Sequence, residues 1–311
     1  MIEICKNSCT ICGKNQSIFL FKKQSQDLDA DSISLYRCID CNSIFLGNYN
    51  LEYEAEMYEY YKLYQGKSAE VLFNPLTTLS YHKVLDLFAE HTSGKSILDV
   101  GCGKGDFVYA GVKAGWNVSG IELSQEAVDI AQKFLLPVTK VDFFSSEIRP
   151  ASYDVVTMFE VLEHLPDPVN FLVRAAEIVK PGGLIYLTTP NYNSFDRRIQ
   201  GISWPVIHRE HLTYFNPQIL KEIIIKKTNL TVVKSETRNI SIQSLYRLKE
   251  KFKIEKKSTK ENLGFPIHST DEVRKAIQSS FVLRILKIII NKLLDITSSG
   301  NTVVLLLKRP S

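Results

Sequence analysis

Three glycines within five positions, in the stretch LDVGCGKGDF from Leu98 to Phe107, constrain the fold of this chain more than any other feature. The apolar run SILDV before them predicts a short buried strand, and the residues after them have helical spacing. Glycine tolerates positive φ and lets the backbone approach a ligand closely. A strand, a glycine loop and a helix in this order therefore predict a ligand-binding loop at the start of an α/β domain.

Strands and helices alternate from Ser96 to the end of the chain, which predicts an α/β fold with a doubly wound, mostly parallel, seven-stranded sheet. In such a sheet the ligand lies at the carboxyl ends of the strands. We expect this domain to span residues 93–311, with a helical insert at about 241–297. The seven predicted strands are SILDV, NVSGIEL, PVTKVDFF, YDVVTMFEV, LIYLTTP, LTVVKSET and NTVVLLLKR.

Acidic residues around the loop indicate which ligand it binds. Glu122 ends the second strand, where a carboxylate can bond both hydroxyls of a ribose, as in dinucleotide-binding and other adenosine-binding proteins. The dinucleotide pattern GxGxxG requires a third glycine where Asp106 stands, and an acid at a helix start opposes a pyrophosphate. Asp99, beside the loop, suits a ligand that carries an ammonium and a sulfonium group and no phosphate.

Five segments, in order, resemble the class I S-adenosylmethionine-dependent methyltransferases: LDVGCGKG, GIEL, VDFF, YDVVTMFEVLEHLPDPVNFL and EIVKPGGLIYLTTPN. The resemblance covers about 96–220 and implies a Rossmann-like methyltransferase fold with S-adenosylmethionine as cofactor. By resemblance, the first glycines line the methionine moiety, Glu122 binds the ribose, Asp142 and Phe143 meet the adenine, and Phe159 and Glu160 border the reactive methyl. The complete implied cofactor set is Asp99, Gly101, Gly103, Glu122, Leu123, Asp142, Phe143, Phe159 and Glu160.

Three histidines are the candidate catalytic residues: His164 in EVLEHL, and His208 and His211 in HREHLTYF. Segment 191–215 follows the fifth strand, so it should cover the site, and its aromatic residues suit a flat or polyol acceptor. A histidine there could act as the general base that a hydroxyl or carbon acceptor needs. The alternatives are that His211 fixes the loop through a backbone hydrogen bond, that His164 is structural, and that His208, Glu210 and His211 bind a metal.

Four of the six cysteines form two CxxC pairs, Cys9 with Cys12 and Cys38 with Cys41. In a reducing compartment such pairs indicate a metal rather than disulfides. Four thiolates satisfy tetrahedral Zn²⁺ with no open position, which predicts a structural site. We expect residues 1–48 to form a small zinc-ribbon-like module with a hairpin between the pairs, and residues 49–92 to form a helical connector. Unmetallated pairs are the alternative.

Charge and hydropathy restrict the partners. The net charge of +4 is too weak to indicate a polyanionic partner by itself. The sequence MIEICKNSCT lacks a signal peptide, and basic residues interrupt the apolar stretch at 281–296, which is too short to span a bilayer. We predict a cytoplasmic protein with reduced cysteines, and we leave peripheral membrane contact by residues 281–296 open.

Three functions remain from these patterns. The resemblance implies methyl transfer to a small-molecule acceptor such as a sugar, nucleotide sugar, glycan or secondary metabolite. An RNA methyltransferase whose zinc module reads RNA is the second hypothesis. Against it, FEVLEHL replaces the Asn/Asp-Pro-Pro-aromatic turn used on base amines, and the cysteine module mixes basic with acidic residues. A non-catalytic protein that binds S-adenosylmethionine is the third.

Overall fold

The computed structural model describes residues 4–5, 8–24, 32–47, 68, 72–241, 244 and 280–311. Most of the predicted connector before the helix at Pro75, and the lysine-rich part of the predicted insert at 247–260, lie outside the described residues.

The described residues form strands and helices that we number in chain order. The strands are β1 (Ile4–Cys5), β2 (Ser17–Lys23), β3 (Ile33–Cys38), β4 (Ile44–Leu46), β5 (Ser96–Val100), β6 (Asn117–Glu122), β7 (Val138–Lys140), β8 (Tyr153–Phe159), β9 (Val179–Pro190), β10 (Thr213–Tyr214), β11 (Thr231–Arg238) and β12 (Thr302–Lys308). The helices are α1 (Pro75–Ala89), α2 (Asp106–Lys113), α3 (Gln125–Lys133), α4 (Pro168–Ile178), α5 (Phe195–Gln200), α6 (Pro217–Lys227) and α7 (Phe281–Ile296).

The main sheet has seven strands in the order β11-β12-β9-β8-β5-β6-β7, which confirms the predicted strand number and fold class. Strands β9, β8, β5, β6 and β7 run parallel, and β12 pairs antiparallel with β9 on one side and with the edge strand β11 on the other. The strand order reverses direction at β5, so the loops after β5 and β8 open the crevice where such folds bind ligands.

Helix starts follow the cap residues expected from the sequence. The Ser124 hydroxyl accepts from the Ala127 N–H, and the Asp167 carboxylate accepts from the Asn170 N–H. These side chains satisfy amides that have no partner in the first helical turn. Helix α4 ends at Ile178, and the Pro-Gly-Gly triplet at 181–183 lies inside β9. Strand β9 pairs with β8 at Val179 and again from Leu184, and the triplet lies in the irregularity between these two points.

The N-terminal strands form a second sheet in the order β1-β2-β3-β4-β10. Its last strand, β10, comes from segment 191–215 and pairs antiparallel with β4, with Thr213 opposite Phe45. The two regions also share one apolar cluster, which contains Leu35 and Leu46 from the module and Trp204 and Leu212 from the segment. The cysteine module and segment 191–215 therefore form one packed unit against the main domain.

Helix α7 packs on β11 through its C-terminal half. Leu294 is buried, and the Asp295 carboxylate accepts from the Thr237 N–H at 2.7 Å. Other apolar residues of α7, including Ile288 and Ile296, are exposed. Within the described ranges, no helix combines the length and the apolar character that crossing a bilayer requires.

Candidate active site

The glycine loop leaves β5 in a backbone conformation that favours glycine. Gly101, Gly103 and Gly105 have φ of 65°, 54° and 86°. A Cβ built at Gly101 would lie 2.9 Å from Val161 Cγ2, closer than side-chain contacts allow. The loop is held by the amides of Gly101 and Cys102, which both donate to the Ile121 carbonyl of β6. This tight turn leaves backbone, rather than side chains, facing the crevice.

Glu122 closes the loop from the end of β6. Its Oε2 accepts from the Gly103 N–H at 2.8 Å, and its Oε1 accepts from the Leu123 and Ser124 N–H groups at 2.8 and 3.0 Å. A carboxylate has about four acceptor positions, so this one keeps capacity for a further donor such as a ribose hydroxyl. Glu122 therefore fits the predicted ribose contact and also holds the shape of the loop.

Asp99 lies behind the same loop, on the buried part of β5. Its carboxyl is 2 % exposed and accepts from the Thr157 hydroxyl at 2.6 Å. Burial raises the pKa of Asp99 to about 7, with the nearby Glu122 and Asp106 carboxylates adding to the effect and the Thr157 hydrogen bond opposing it. A cation beside this carboxyl would favour its ionised form.

The predicted adenine-side residues lie in a turn rather than in a strand, because β7 ends at Lys140. The Asp142 carboxylate accepts from the Phe144 N–H at 2.7 Å. Phe143 is buried against the ring of Phe171, with ring centroids 5.2 Å apart. Their contact with adenine stays a prediction.

The end of β8 brings an aromatic wall to the crevice. Phe159 packs against Phe107 of α2 and Tyr186 of β9, and Tyr81 of α1 packs edge-on against it at 5.2 Å. Burial raises the pKa of Tyr81, and the carboxylates of Asp106, Asp99 and Glu160 raise it further, which places this hydroxyl among the acids of the crevice. The sequence analysis did not select Tyr81, because nothing in the helix pattern of α1 distinguishes a crevice residue from a core residue.

Glu160 follows β8 with φ of 54°, which is uncommon for a residue with a side chain. Burial raises the pKa of Glu160, against the effect of its hydrogen bond with Thr188. The next acid, Glu163, is 1 % exposed and accepts from the Thr189 hydroxyl at 2.8 Å. Burial and the Glu160 carboxylate raise the pKa of Glu163 well above its ordinary value. The sequence analysis named Glu160 and missed Glu163, although both stand in the quoted stretch FEVLEHL.

The three candidate histidines converge from two segments. The His211 ring lies 3.8 Å from the His208 ring and 4.7 Å from the His164 ring, measured between centroids. The Nδ1 of His211 bonds the Val206 carbonyl at 2.9 Å, and the Nδ1 of His164 bonds the Glu210 carbonyl at 3.0 Å. A carbonyl only accepts, so both Nδ1 atoms carry the proton and both Nε2 atoms carry a lone pair.

These imidazoles are neutral near pH 7. Burial lowers the pKa of His164. Burial also lowers the pKa of His208, and the nearby His164 and Lys23 add to this effect, which brings that pKa to about 4. Burial and the two other rings lower the pKa of His211 well below its ordinary value. The backbone bonds agree with loop-fixing roles, and the free Nε2 atoms leave room for chemistry; the catalytic roles of all three histidines stay predictions.

The four cysteines meet at one end of the N-terminal sheet. Each CxxC pair turns through a left-handed residue, Gly13 or Asn42, whose amide donates to the carbonyl of the first cysteine of the pair. The Ser43 hydroxyl lies 2.9 Å from Cys9 Sγ and 3.1 Å from Cys41 Sγ. Hydrogen bonding from Cys41 lowers the pKa of Cys9, whereas the pKa of Cys41 is raised.

The sulfur positions fit a zinc ion. The Sγ atoms of Cys9 and Cys41 are 3.6 Å apart, those of Cys12 and Cys38 are 3.5 Å apart, and all four lie within 4.8 Å of one another. Thiolates at about 2.3 Å from a tetrahedral zinc are separated by about 3.8 Å. Cys9, Cys12, Cys38 and Cys41 would therefore hold Zn²⁺ as the sequence predicts, in a closed site that folds the module.

Comparison with known proteins agrees with this architecture. A family model described as "Methyltransferase domain" matches residues 71–235. The ubiquinone biosynthesis O-methyltransferase of Nitrosospira multiformis is 41% identical over 108 residues, which are 32% of this chain and 45% of that protein. The protein of the same name from Aliivibrio fischeri is 35% identical over 132 residues, 40% of this chain and 54% of the relative. The chain thus spans about half the length of the curated relatives it matches.

Among solved structures, an S-adenosylmethionine-dependent methyltransferase from Archaeoglobus fulgidus superposes with a TM-score of 0.51. The match covers 80% of this chain and 100% of that one at 19% sequence identity. At this identity the likeness concerns the fold, and it confirms the Rossmann-like arrangement expected from the sequence.

Proposed function

The chain belongs to the methyltransferase domain family, and we propose on that basis that it moves a methyl group from S-adenosylmethionine to a hydroxyl of a small-molecule acceptor. One observation carries the proposal. A glycine loop closed by Glu122 and a cluster of buried carboxyls and imidazoles follow the adjacent strands β5, β6, β8 and β9, at the edge where this fold binds ligands.

The residues of the crevice have distinct tasks in this proposal. The backbone of the glycine loop and Glu122 would bind and orient the cofactor, which supplies an electrophilic methyl on a sulfonium. The aromatic wall of Phe159 and Tyr81 would exclude water beside that methyl. Positioning of the two reactants supplies much of the rate in such an in-line displacement.

The acceptor oxygen must lose its proton as the carbon–oxygen bond forms and the carbon–sulfur bond breaks. The neutral His211, whose Nε2 has a lone pair, is the predicted base, and its Nδ1 bond to Val206 fixes the ring. An amine acceptor depends less on a general base than a hydroxyl acceptor does. The buried imidazoles therefore favour an acceptor that is methylated on oxygen. The names of the curated relatives also favour a small oxygen acceptor.

The finer acceptor class is a sugar, nucleotide sugar, glycan or secondary metabolite, as the resemblance implies. The histidines of segment 191–215 support it, whereas the aromatic residues Trp204 and Tyr214 of that segment are buried in the apolar cluster shared with the cysteine module. The mixture of basic and acidic residues in the cysteine module does not favour the alternative RNA substrate.

Calorimetry and labelled methyl transfer test the proposal together. We expect S-adenosylmethionine and its demethylated product to bind with micromolar affinity and NAD to bind negligibly. Label should then pass from the cofactor to hydroxyl compounds of a panel that contains sugar nucleotides, phenols, amines and a short RNA. Binding of NAD without either S-adenosyl ligand contradicts the cofactor, and label on RNA or amines alone contradicts the acceptor class.

A further inference from the structure

Glu163 is a buried acid whose hydrogen bonds are incomplete. Its side chain is 1 % exposed and its Oε2 accepts from Thr189, but its Oε1 has no hydrogen-bond partner among the described residues. A carboxylate oxygen that leaves water without a partner costs several kcal/mol unless it meets a proton or a cation. The position is therefore filled by a proton, shared with the neighbouring Glu160 carboxyl, or by a cation that replaces that proton.

Two imidazoles lie together beside this acid, with their ring centroids 4.7 Å apart. His164 and His211 both use Nδ1 to bond backbone carbonyls, which orients each Nε2 away from the backbone. Metal-binding histidines are commonly held by this kind of hydrogen bond on the other ring nitrogen.

The distances suit a shared ion. One ligand atom each from Glu163, His164 and His211 can be chosen so that all lie within 4.8 Å of one another. Nitrogen and oxygen ligands about 2.0–2.2 Å from one metal are separated by roughly 3–4.4 Å. The 4.8 Å limit lies close to that range, so small side-chain shifts would bring the three atoms to it.

We propose that Glu163, His164 and His211 form a second metal site, which holds one divalent ion of the first transition row. Two imidazoles and one carboxylate are a donor set that suits such ions. Three protein ligands leave a position open, as in catalytic sites, whereas the four cysteines leave none. The sequence analysis considered a metal at His208, Glu210 and His211; the geometry replaces His208 and Glu210 with His164 and Glu163.

This inference rests on the proposed function and deepens it. A metal held by Glu163, His164 and His211 would supply Lewis-acid chemistry that favours the ionised form of an acceptor hydroxyl. Glu160, which follows β8 and neighbours Glu163, would take the hydroxyl proton as the acceptor oxygen bonds the methyl carbon and the carbon–sulfur bond breaks. His211 would be a metal ligand rather than the base, and the acceptor would be an oxygen compound.

Metal binding is testable without turnover. The full chain, purified with its cysteine-bound zinc, is dialysed against a chelator that leaves that zinc in place. Mn²⁺ is then titrated and followed by electron paramagnetic resonance, since manganese binds thiolates poorly. We expect one Mn²⁺ per chain, with affinity reduced at least tenfold in Glu163→Gln and in His164→Gln. His91→Gln, a histidine outside the cluster, should bind Mn²⁺ as the wild type does.

Each outcome decides the site. Binding of S-adenosylhomocysteine and the melting temperature show that the variants are folded, and Co²⁺ bands without thiolate charge transfer identify nitrogen and oxygen ligands in the wild type. A wild type that takes up no Mn²⁺, Co²⁺ or Zn²⁺ beyond the cysteine site overturns the inference. Bound metal with no methyl transfer to any hydroxyl compound would overturn the proposed function and leave the metal site standing.

Discussion

The cofactor crevice and the acceptor face differ in how far apart in the chain their residues lie. Apart from Tyr81 and Tyr186, the crevice is built from residues 99–160, at the ends of the adjacent strands β5, β6 and β8. The acceptor face is the region where we propose that the acceptor binds. It consists of the cysteine module, His164 and segment 191–215. Thr10 and Thr213, which are 203 residues apart, bond through their hydroxyls at 2.7 Å.

The module acts as a support for the histidine segment. Lys23 of β2 donates to the Ile207 carbonyl at 2.7 Å and to the Trp204 carbonyl at 3.3 Å, and β4 pairs with β10 just after His211. The contacts within the crevice are local and can form without the cysteine module. Segment 191–215, in contrast, has its strand partner and much of its apolar packing in that module. Loss of zinc should therefore disturb the acceptor face and leave the cofactor crevice intact.

Removal of a zinc ligand gives the largest expected effect. Cys38→Ser should release the metal, and structural zinc contributes about 10–16 kcal/mol to the folding of small zinc modules. We expect the module and β10 to lose protection in hydrogen exchange and turnover to disappear. Affinity for S-adenosylhomocysteine, measured by calorimetry, should change less than about threefold. Cys5→Ser, which keeps the four-cysteine group, is the matched control.

Equal loss of cofactor affinity and of the module would contradict this comparison. It would mean that the crevice and the acceptor face fold as one cooperative unit, although their residues are separated in the chain.

His211 tests the acceptor face without removing the module. His211→Gln keeps the size of the side chain and much of its hydrogen bonding but loses the imidazole Nε2. Turnover should fall by roughly 10²–10⁴-fold, the range for loss of a proton-transfer group, whether His211 is itself the base or a ligand of the metal that promotes the proton transfer. Cofactor affinity should stay unchanged, because the ring contacts segment 191–215 and His164 rather than the glycine loop. If His211→Gln keeps its turnover and His211→Ala has a lower melting temperature, His211 is a structural residue and not a catalytic one.

The difference between the two regions also explains what the sequence could predict. The glycine loop, Glu122 and the β5–β8 order follow from local patterns, since each strand is followed directly by its functional residue. Strands β4 and β10 are short apolar segments like many others in the chain. Their local sequence pattern does not identify which strand each one pairs with. The sequence analysis missed Glu163 because this residue belongs to a candidate site only through its proximity to His211, which lies 48 residues later in the chain.

Glu122 tests the crevice side of the comparison. Glu122→Ala removes three hydrogen bonds to the loop amides as well as the predicted ribose contact. Cofactor affinity should fall by about 1.5–3 kcal/mol, as expected for hydrogen bonds to a charged group. Calorimetry measures it, and zinc content and hydrogen exchange of the module should match the wild type. Unchanged affinity would remove Glu122 from the cofactor site.

Asp99 gives the smallest expected effect, and it depends on pH. The folded protein holds the pKa of this carboxyl at about 7, above its ordinary value of 3.8, so between these values the folded state binds more protons than the unfolded state. The contribution of Asp99 to the free energy of unfolding therefore falls as pH rises through this window and is constant above about 7. A cationic cofactor beside Asp99 favours the carboxylate and lowers this pKa.

Binding of the cofactor should consequently release a proton below pH 7. The affinity for S-adenosylmethionine should rise with pH up to about 7, by at most about tenfold per unit, and then stay level. Asp99→Asn cannot ionise, so its affinity should be weaker at pH 8 and nearly independent of pH. Calorimetry in two buffers of different ionisation enthalpy measures the proton release directly. If wild type and variant show the same pH dependence, a group other than Asp99 controls it, and the ammonium and sulfonium lie away from the buried side of the glycine loop.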